Sequence, residues 1–367
     1  MGGPLALAAL YAPGLIDDTT SSAGFVAIAG AVVFLLPLGV WLAFSRQIQS
    51  NGGLYGFVEA AAGRRIALVQ AGLWIASYAL YLVYTTVAIV YDTLPTVLPG
   101  VRPYRTLLEI AIPVVIAAVM LAGRTVTLAV LGVLAVGQLA LVGALAGVGI
   151  AHGAQLSAFA PHSPVGDLAT PTAQISLLYV CGSLPLFLGG EVVRPARTVR
   201  RGLVVGYALV AAGVVAAVYP LAANPAFTRA PIPGMSVAQV FAGHDLAVAV
   251  GLGVAASTAG VMLVEYLALS RLVHVLSGFS TRKIILGLGV LLVAAAPISL
   301  IDPERFYDDL LKPSLIALWL SQLMVFAVYP RFAARHGGLR TGHVLLAAGA
   351  VAFAIYGIYA TLQHAGT

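Results

Sequence analysis

The amino-acid sequence predicts an all-α polytopic membrane protein with about eleven transmembrane helices. The chain has 367 residues, of which 60% are hydrophobic, and its mean hydropathy is +1.00. Only 9% of its residues are charged, whereas soluble domains carry about 25%. Its apolar runs are continuous and long enough to cross a hydrocarbon core of about 30 Å. Because these runs do not alternate with polar residues, an outer-membrane β-barrel is excluded.

The predicted helices follow from the apolar runs and the polar residues between them. The first run is short for a span, and it lacks both the basic start and the small-residue cleavage site of a signal peptide. The eleven predicted segments are 3–16, 23–45, 66–91, 106–123, 125–150, 173–191, 202–222, 246–273, 284–301, 311–330 and 343–362.

The loops between these segments alternate in charge. One set of loops holds 14 of the 19 basic residues: Arg46, Arg64, Arg65, Arg124, Arg194, Arg197, Arg200, Arg201, Arg271, Arg282, Lys283, Arg331, Arg335 and Arg340. The other set holds the remaining five: Arg102, Arg105, Arg229, Arg305 and Lys312. The positive-inside rule therefore predicts a cytoplasmic N-terminus and, with eleven spans, an external C-terminus.

The composition narrows the function classes further. The net charge of +6 reports membrane topology, so we expect no nucleic-acid partner. The single cysteine, Cys181, excludes an intrachain disulfide and a multi-cysteine metal site, and we expect neither a metal nor another cofactor. The sequence contains no phosphate-binding loop for an ATP-driven pump and no catalytic constellation for an enzyme. Carriers, channels and structural membrane proteins remain.

The sixth segment carries residues that interrupt a helix. Its centre reads Cys181-Gly182-Ser183-Leu184-Pro185. Glycine costs about 1 kcal/mol in a helix interior, and proline removes a backbone hydrogen bond. Secondary carriers often bind substrate at such interrupted helices. The alternative is a kinked helix with good packing, because glycine and proline are common in membrane helices.

The first segment lies five segments before the sixth, as a five-plus-five repeat requires. It also contains helix-breaking residues, Gly2-Gly3-Pro4 and Pro13-Gly14. The chain begins where a first half-helix would lie, so we expect either that this half-helix is very short or absent, or that the true start lies upstream.

Three stretches together resemble one known family. Residues 50–65, SNGGLYGFVEAAAGRR, follow the second span, and residues 189–201, GGEVVRPARTVRR, follow the sixth. Residues 231–274 contain IPGMSVAQVFAG and end in SRLVH. In order and spacing they resemble the permeases of the amino acid–polyamine–organocation (APC) superfamily. The matching positions in the first two stretches are Gly52, Gly53, Tyr55, Gly63, Glu191, Pro195, Arg197 and Arg201.

The resemblance implies a leucine-transporter-like fold with a five-plus-five inverted repeat and alternating access. Repeat one would cover about 1–150, repeat two about 173–330, and one extra helix about 343–362, all within a single permease domain 1–367. Family members usually have twelve spans, and the last is expected to be missing here. By position, the resemblance implies a substrate site formed by Tyr179, Val180, Cys181, Gly182 and Ser183, with Ala6, Leu10 and Tyr11 from the first helix.

The eighth segment holds the candidates for a coupling ion. Ser257 and Thr258 could offer hydroxyl oxygens, facing first-helix carbonyls, to a sodium ion, or they could bond back to the carbonyls four residues earlier. Glu265 could accept a proton, or it could pair with a basic residue near the cytoplasmic face such as Arg271. We expect Glu191 to anchor the arginine cluster that follows it.

The leading hypothesis is therefore a multi-pass permease of the cytoplasmic membrane that moves amino acids or related small amines, with sodium or a proton as the coupling ion. The lack of a buried acid and of a buried arginine among the expected site residues favours a neutral or apolar amino acid, or a similar small zwitterion. Two alternatives remain open: a non-transporting subunit or sensor with the permease fold, and a channel, although no selectivity-filter loop is recognisable.

Overall fold

A computed structural model describes residues 3–152, 155–219 and 225–363 of the chain. Residues 220–222, at the end of the predicted segment 202–222, lie outside these ranges. Within the described residues, ten helices are long and apolar enough to span a membrane, and a shorter apolar helix precedes them. The eleven predicted segments therefore all correspond to helices.

We number the helices in chain order, including two short ones that connect spans. They are α1 Pro4–Gly14, α2 Ala23–Ser45, α3 Leu54–Ala62, α4 Arg64–Val97, α5 Arg105–Leu121, α6 Arg124–His152, α7 Val165–Leu188, α8 Pro195–Val218, α9 Pro233–Ala242, α10 His244–Ser277, α11 Thr281–Leu300, α12 Pro303–His336 and α13 Thr341–Gln363. At 1.5 Å per residue α1 is about 16 Å long, which is roughly half the thickness of the hydrocarbon core.

The two short helices occupy equivalent positions in the two halves of the chain. Helix α3 lies between the second and third spans of the first half, and α9 lies between the second and third spans of the second half. Each is followed by one glycine that caps the next span: Gly63 has φ 93° and ψ 166°, and Gly243 has φ 92° and ψ −178°. A side chain strains this backbone geometry, so glycine is favoured at both places. The repetition of this junction supports a five-plus-five repeat.

Helix α10 lies at the centre of the bundle. In its most apolar window 56% of the residues are buried, whereas the corresponding fraction for α6 is 17%. It packs against α1, α4, α6 and the second half of α7. Helix α12 packs along α4, and α13 covers α12. The helices with irregular backbones are therefore held against the most deeply buried span.

The loop before α3 docks on α7 through a glycine. Gly53 has φ 51° and ψ −123°, and a Cβ placed there would lie 2.6 Å from the Phe187 ring. Phe187 is fully buried and packs against Trp74 with ring centroids 4.4 Å apart. Since the ring has no room to retreat, only glycine fits between the loop and α7.

At the opposite end of the bundle, the loop after α8 is tied to the end of α1. The Thr228 hydroxyl donates to Asp17, and the Arg229 Nε atom lies 3.2 Å from the Asp17 Oδ2 atom. The Thr228 hydrogen bond, helped by the Arg229 charge, holds the pKa of the Asp17 carboxyl below its usual value despite partial burial. The hydrogen bond and the ion pair of Asp17 are therefore present at neutral pH.

Candidate functional site

The sixth span changes its helical type near its middle. Helix α7 is α-helical from Val165 to Leu177 and continues as a 3₁₀ helix from Val180 to Leu188. At the junction the Gly182 N–H donates to the Tyr179 carbonyl at 2.8 Å. A 3₁₀ stretch longer than about four residues is uncommon, and one inside a helix often marks a hinge. The predicted interruption at Cys181–Pro185 lies inside this stretch.

The first helix is irregular in a different way from the expected break. Its residues Leu7–Tyr11 form a π-helical turn, and the Ala12 N–H donates to the Leu7 carbonyl. Near its start, the Ala6 N–H donates to the Ser257 hydroxyl at 3.0 Å. Within the described residues, the stretch expected to be broken is thus a widened turn whose backbone is hydrogen-bonded. Such turns are frequent at functional sites.

A cavity of about 660 Å³ lies where these two irregular segments face each other. This volume lies within the range of about 300–1,000 Å³ that is usual for small-molecule sites. Its wall comes from α1, α4, α7, α10, α12 and α13. It reaches the protein surface near Gln174 and Lys312, where the exposed Asp309 lines its rim.

The structure brings some, but not all, of the predicted site residues to this cavity. The six that line it are Ala6, Tyr11, Val180, Cys181, Thr258 and Glu265. A neighbouring cavity of about 30 Å³, the size of one water molecule, is lined by Tyr179, Cys181 and Gly182. Three predicted residues line neither cavity: Leu10, Ser183 and Ser257.

The serines outside the cavity are fully buried, and their hydroxyls are engaged. The Ser183 hydroxyl donates to the Val180 carbonyl at 3.2 Å. The Ser257 hydroxyl donates to Gln138 Oε1 at 2.7 Å while it accepts the Ala6 N–H. Ser257 therefore faces a first-helix N–H rather than the expected carbonyls, because it caps the start of α1.

Thr258 lines the cavity, but its hydroxyl is also engaged. The hydroxyl donates to the Val254 carbonyl, four residues earlier, at 2.9 Å. This is the local bond that Ser and Thr commonly make in helices. The hydroxyl oxygen retains acceptor capacity toward the cavity.

Glu265 is the buried acid of the cavity. The residue is fully buried, and its Oε1 atom accepts a hydrogen bond from the Cys181 thiol at 3.8 Å. Its Oε2 atom has no hydrogen-bond partner in the structure. The expectation that the site lacks a buried acid was therefore wrong.

Of the two alternatives for Glu265, the structure does not show the pairing with Arg271. The Arg271 Nη2 atom instead donates to Glu191 Oε2 at 3.3 Å. A spacing of six residues does not place two side chains on one helix face, since neighbours on a face are three or four residues apart. Arg271 therefore points toward the end of α7 and leaves Glu265 facing the cavity.

A polar and aromatic face of α4 lines the cavity and was not predicted from the sequence. The cavity wall includes five residues of this helix: Ser77, Tyr78, Tyr81, Tyr84 and Thr85. Their spacing of three and four residues is the signal for one helix face, and it is readable in SYALYLVYTT. Trp319 of α12 adds a further aromatic ring.

The other end of α7 is closed by a cluster of charged and polar side chains. The Glu191 cluster comprises Asn51, Arg124, Glu191 and Arg271. Besides the Arg271 bond, Arg124 Nη1 lies 3.7 Å from Glu191 Oε2, and Asn51 Nδ2 donates to Glu191 Oε1 at 3.4 Å. The partners of Glu191 are thus Arg124 and Arg271, rather than the arginines that follow it in sequence. Four separate segments meet at this carboxylate.

We expect Glu191→Gln to loosen this closed end. The side chains of Glu191 and Arg271 are only 16% and 11% exposed, and breaking such a pair leaves an uncompensated charge. The rate at which a membrane-impermeant maleimide, added at the Glu191 end, modifies Cys181 should rise several-fold. Arg124→Gln is the control with a smaller effect, because the Arg124 side chain is 53% exposed. An unchanged rate in Glu191→Gln would show that the cluster does not close this end.

The fold and the cavity define a class of protein, the leucine-transporter-like helical membrane fold with a five-plus-five repeat. Two solved structures with this fold resemble the chain over nearly its whole length. A manganese transporter from Eremococcus coleocola, in complex with an aromatic bis-isothiourea substituted compound, has a TM-score of 0.60 and 12% sequence identity over 98% of this chain and 86% of its own. MhsT in complex with L-phenylalanine has a TM-score of 0.59 and 13% identity over 99% of this chain and 97% of its own.

Neither a family model nor a curated protein matches the sequence. At identities of 12% and 13% the likeness is one of fold, and substrate and mechanism have to be argued from the residues of this chain.

Proposed function

We propose that the chain is a secondary transporter that moves amino acids or related small amines across the cytoplasmic membrane by alternating access. The observation that carries this proposal is the cavity of about 660 Å³ between the π turn of α1 and the 3₁₀ stretch of α7. It is open near Gln174 and closed beyond Glu191, at the two ends of the same helix. A carrier needs such one-sided access, whereas an open channel requires access from both sides.

Two irregular backbone segments are the candidates for the hinges of this motion. Hinge motions are absorbed by a few residues at irregular places in helices or loops. The junction between Leu178 and Gly182 and the turn Leu7–Tyr11 are such places, and both line the cavity. In the proposed cycle, bending at these two places closes the Gln174 end while the Glu191 cluster separates. The moving units would be the repeats 1–150 and 173–330, with 343–362 as an extra helix.

The distribution of basic residues indicates which end of the helix bundle faces the cytoplasm. The positive-inside rule places the Glu191 end in the cytoplasm and the Lys312 end outside. On this assignment the structure represents an outward-open state. The start of α1 would then face the cytoplasmic side, and the C-terminus would be external.

The chemistry of the cavity favours an organic substrate over a metal ion. Within the described residues, no group of three or more His, Cys, Asp or Glu side chains could hold a metal. The wall is instead rich in tyrosine, which suits a small organic molecule with an amino group. Two proteins with the same fold have organic ligands bound: L-phenylalanine in MhsT and an aromatic compound in the manganese transporter.

The proposal is tested by uptake into proteoliposomes. The panel consists of radiolabelled amino acids and the amines derived from them by loss of the carboxyl group, such as phenylalanine with phenethylamine and leucine with 3-methylbutylamine. We expect saturable uptake of at least one compound, and stimulation by a gradient of sodium or protons. Binding without uptake would instead support a sensor, and the absence of both would contradict the proposal.

A further inference from the structure

We infer that Glu265 is a single site shared by a proton and the ammonium group of a cationic substrate, so that the protein exchanges one for the other. The inference rests on the proposed transport function and deepens it. It assigns the substrate to monocationic amines that lack a carboxylate.

The position of Glu265 is that of a ligand-binding group rather than of a packing residue. It is fully buried in the middle of α10 and lines the wall of the cavity. Its Oε1 atom already accepts from the Cys181 thiol, whereas its Oε2 atom has no hydrogen-bond partner among the described residues. A buried carboxylate oxygen without a donor is costly, and a bound ammonium group would supply the missing hydrogen bond.

The charges in the cavity favour a cation over a zwitterion. Its charged lining residues are Glu265, with Asp309 and Lys312 near the mouth. Asp309 and Lys312 have opposite charges at the mouth, so the charge in the interior of the cavity is that of Glu265 when it is ionised. A monocation neutralises this charge, whereas an amino acid brings a carboxylate into the same space.

The rings around the cavity suit a cationic group. Tyr11, Tyr78, Tyr81 and Tyr84 line it together with Trp319. Tyrosine and tryptophan faces attract ammonium groups. The titratable groups facing Glu265 from neighbouring helices are the Tyr78 hydroxyl of α4 and the Cys181 thiol of α7. Neither group is a cation, so neither supplies the positive charge that an ionised Glu265 requires.

The exchange follows from the cost of an isolated buried charge. An ionised carboxylate without a cationic partner is expensive in an apolar interior, so the empty site holds a proton on Glu265. When an ammonium group binds, the carboxylic acid releases that proton to water and forms a charge-assisted hydrogen bond. Proton and amine therefore occupy the same oxygen in turn, and one proton leaves for each amine that enters.

The test measures amine binding and proton release together. Purified protein is titrated calorimetrically with phenethylamine and with phenylalanine, in two buffers of different ionisation enthalpy at neutral pH. We expect phenethylamine to bind at least tenfold more tightly than phenylalanine and to release about one proton per molecule bound, as the shared site requires. Glu265→Gln, which keeps the shape of the side chain, should lower amine affinity at least tenfold and abolish proton release.

Glu109→Gln is the matched control for loss of a buried acid. Glu109 is also fully buried, accepts from Ser299 and has an unpartnered Oε2 atom, but it does not line the cavity. This variant should keep both amine affinity and proton release. Normal amine binding in Glu265→Gln, binding of phenylalanine but not the amine, or binding without proton release would each overturn the inference.

The failure of this inference can be distinguished from failure of the proposed function. Saturable uptake of a panel compound by Glu265→Gln at the wild-type rate would contradict the shared site but would still support a transporter. No binding and no uptake of any compound by the wild-type protein would contradict both the shared site and the transport function.

Discussion

Cys181→Trp is expected to reduce substrate uptake at least tenfold while the protein remains folded. Cys181 lines both cavities, and its thiol donates to Glu265. An indole at this position would occupy the space in front of the carboxylate and would remove the thiol donor. Because the cavity measures about 660 Å³, it has room for the ring without displacing a helix. Initial rates of uptake in proteoliposomes measure the effect.

The control for this substitution is Cys181→Ser. Serine is slightly smaller than cysteine and offers a hydroxyl donor to Glu265, so uptake should stay within a few-fold of the wild type. Thermal unfolding in detergent checks that both variants are folded. If folded Cys181→Trp transports at the wild-type rate, the cavity beside Cys181 is not the substrate site.

Gly53→Ala is expected to destabilise the protein by about 2–6 kcal/mol. The methyl group would add backbone strain of about 1–3 kcal/mol at φ 51° and overpacking of about 1–3 kcal/mol against Phe187. The ring of Phe187 is held by Trp74, so the loop would have to move away from α7. A lower midpoint of thermal unfolding measures the loss of stability.

Gly63→Ala separates the two contributions. Gly63 also has a positive φ, 93°, but a Cβ there would meet no atom within 4 Å. We therefore expect only the strain of about 1–3 kcal/mol in this variant. Equal destabilisation by the two substitutions would show that the contact between Gly53 and Phe187 contributes nothing.

The sequence was sufficient to predict the helices because span length and hydropathy are local properties of the chain. Each of the eleven apolar segments lies on a helix. The equivalent glycines at 63 and 243 could not be interpreted in the same way, because their shared geometry appears only in the backbone angles. The π turn at Leu7–Tyr11 was likewise missed, since no residue type specifies a turn widened by one residue.

The site was predicted only in part, because its chemistry depends on contacts between distant segments. Cys181 was identified from the helix-breaking residues around it. The pairing of Glu265 with Arg271, one of two alternatives, is not formed, since Glu191 reaches Arg271 from the end of another helix. Ser257 was one of the candidates for an ion ligand, and its hydroxyl joins Gln138 to the start of α1. The spacing of the tyrosines on α4 can be read from the sequence. It was overlooked because the whole segment is apolar and was interpreted only as a membrane span.

Alternating access is tested most directly by trans-stimulation in proteoliposomes. Vesicles are loaded with the unlabelled panel compound that binds most tightly, and uptake of the same labelled compound is compared with uptake into empty vesicles. We predict several-fold faster initial uptake into the loaded vesicles, because a loaded carrier returns its binding site faster than an empty one. Uptake that does not saturate and is unchanged by internal substrate would contradict a carrier with one-sided access.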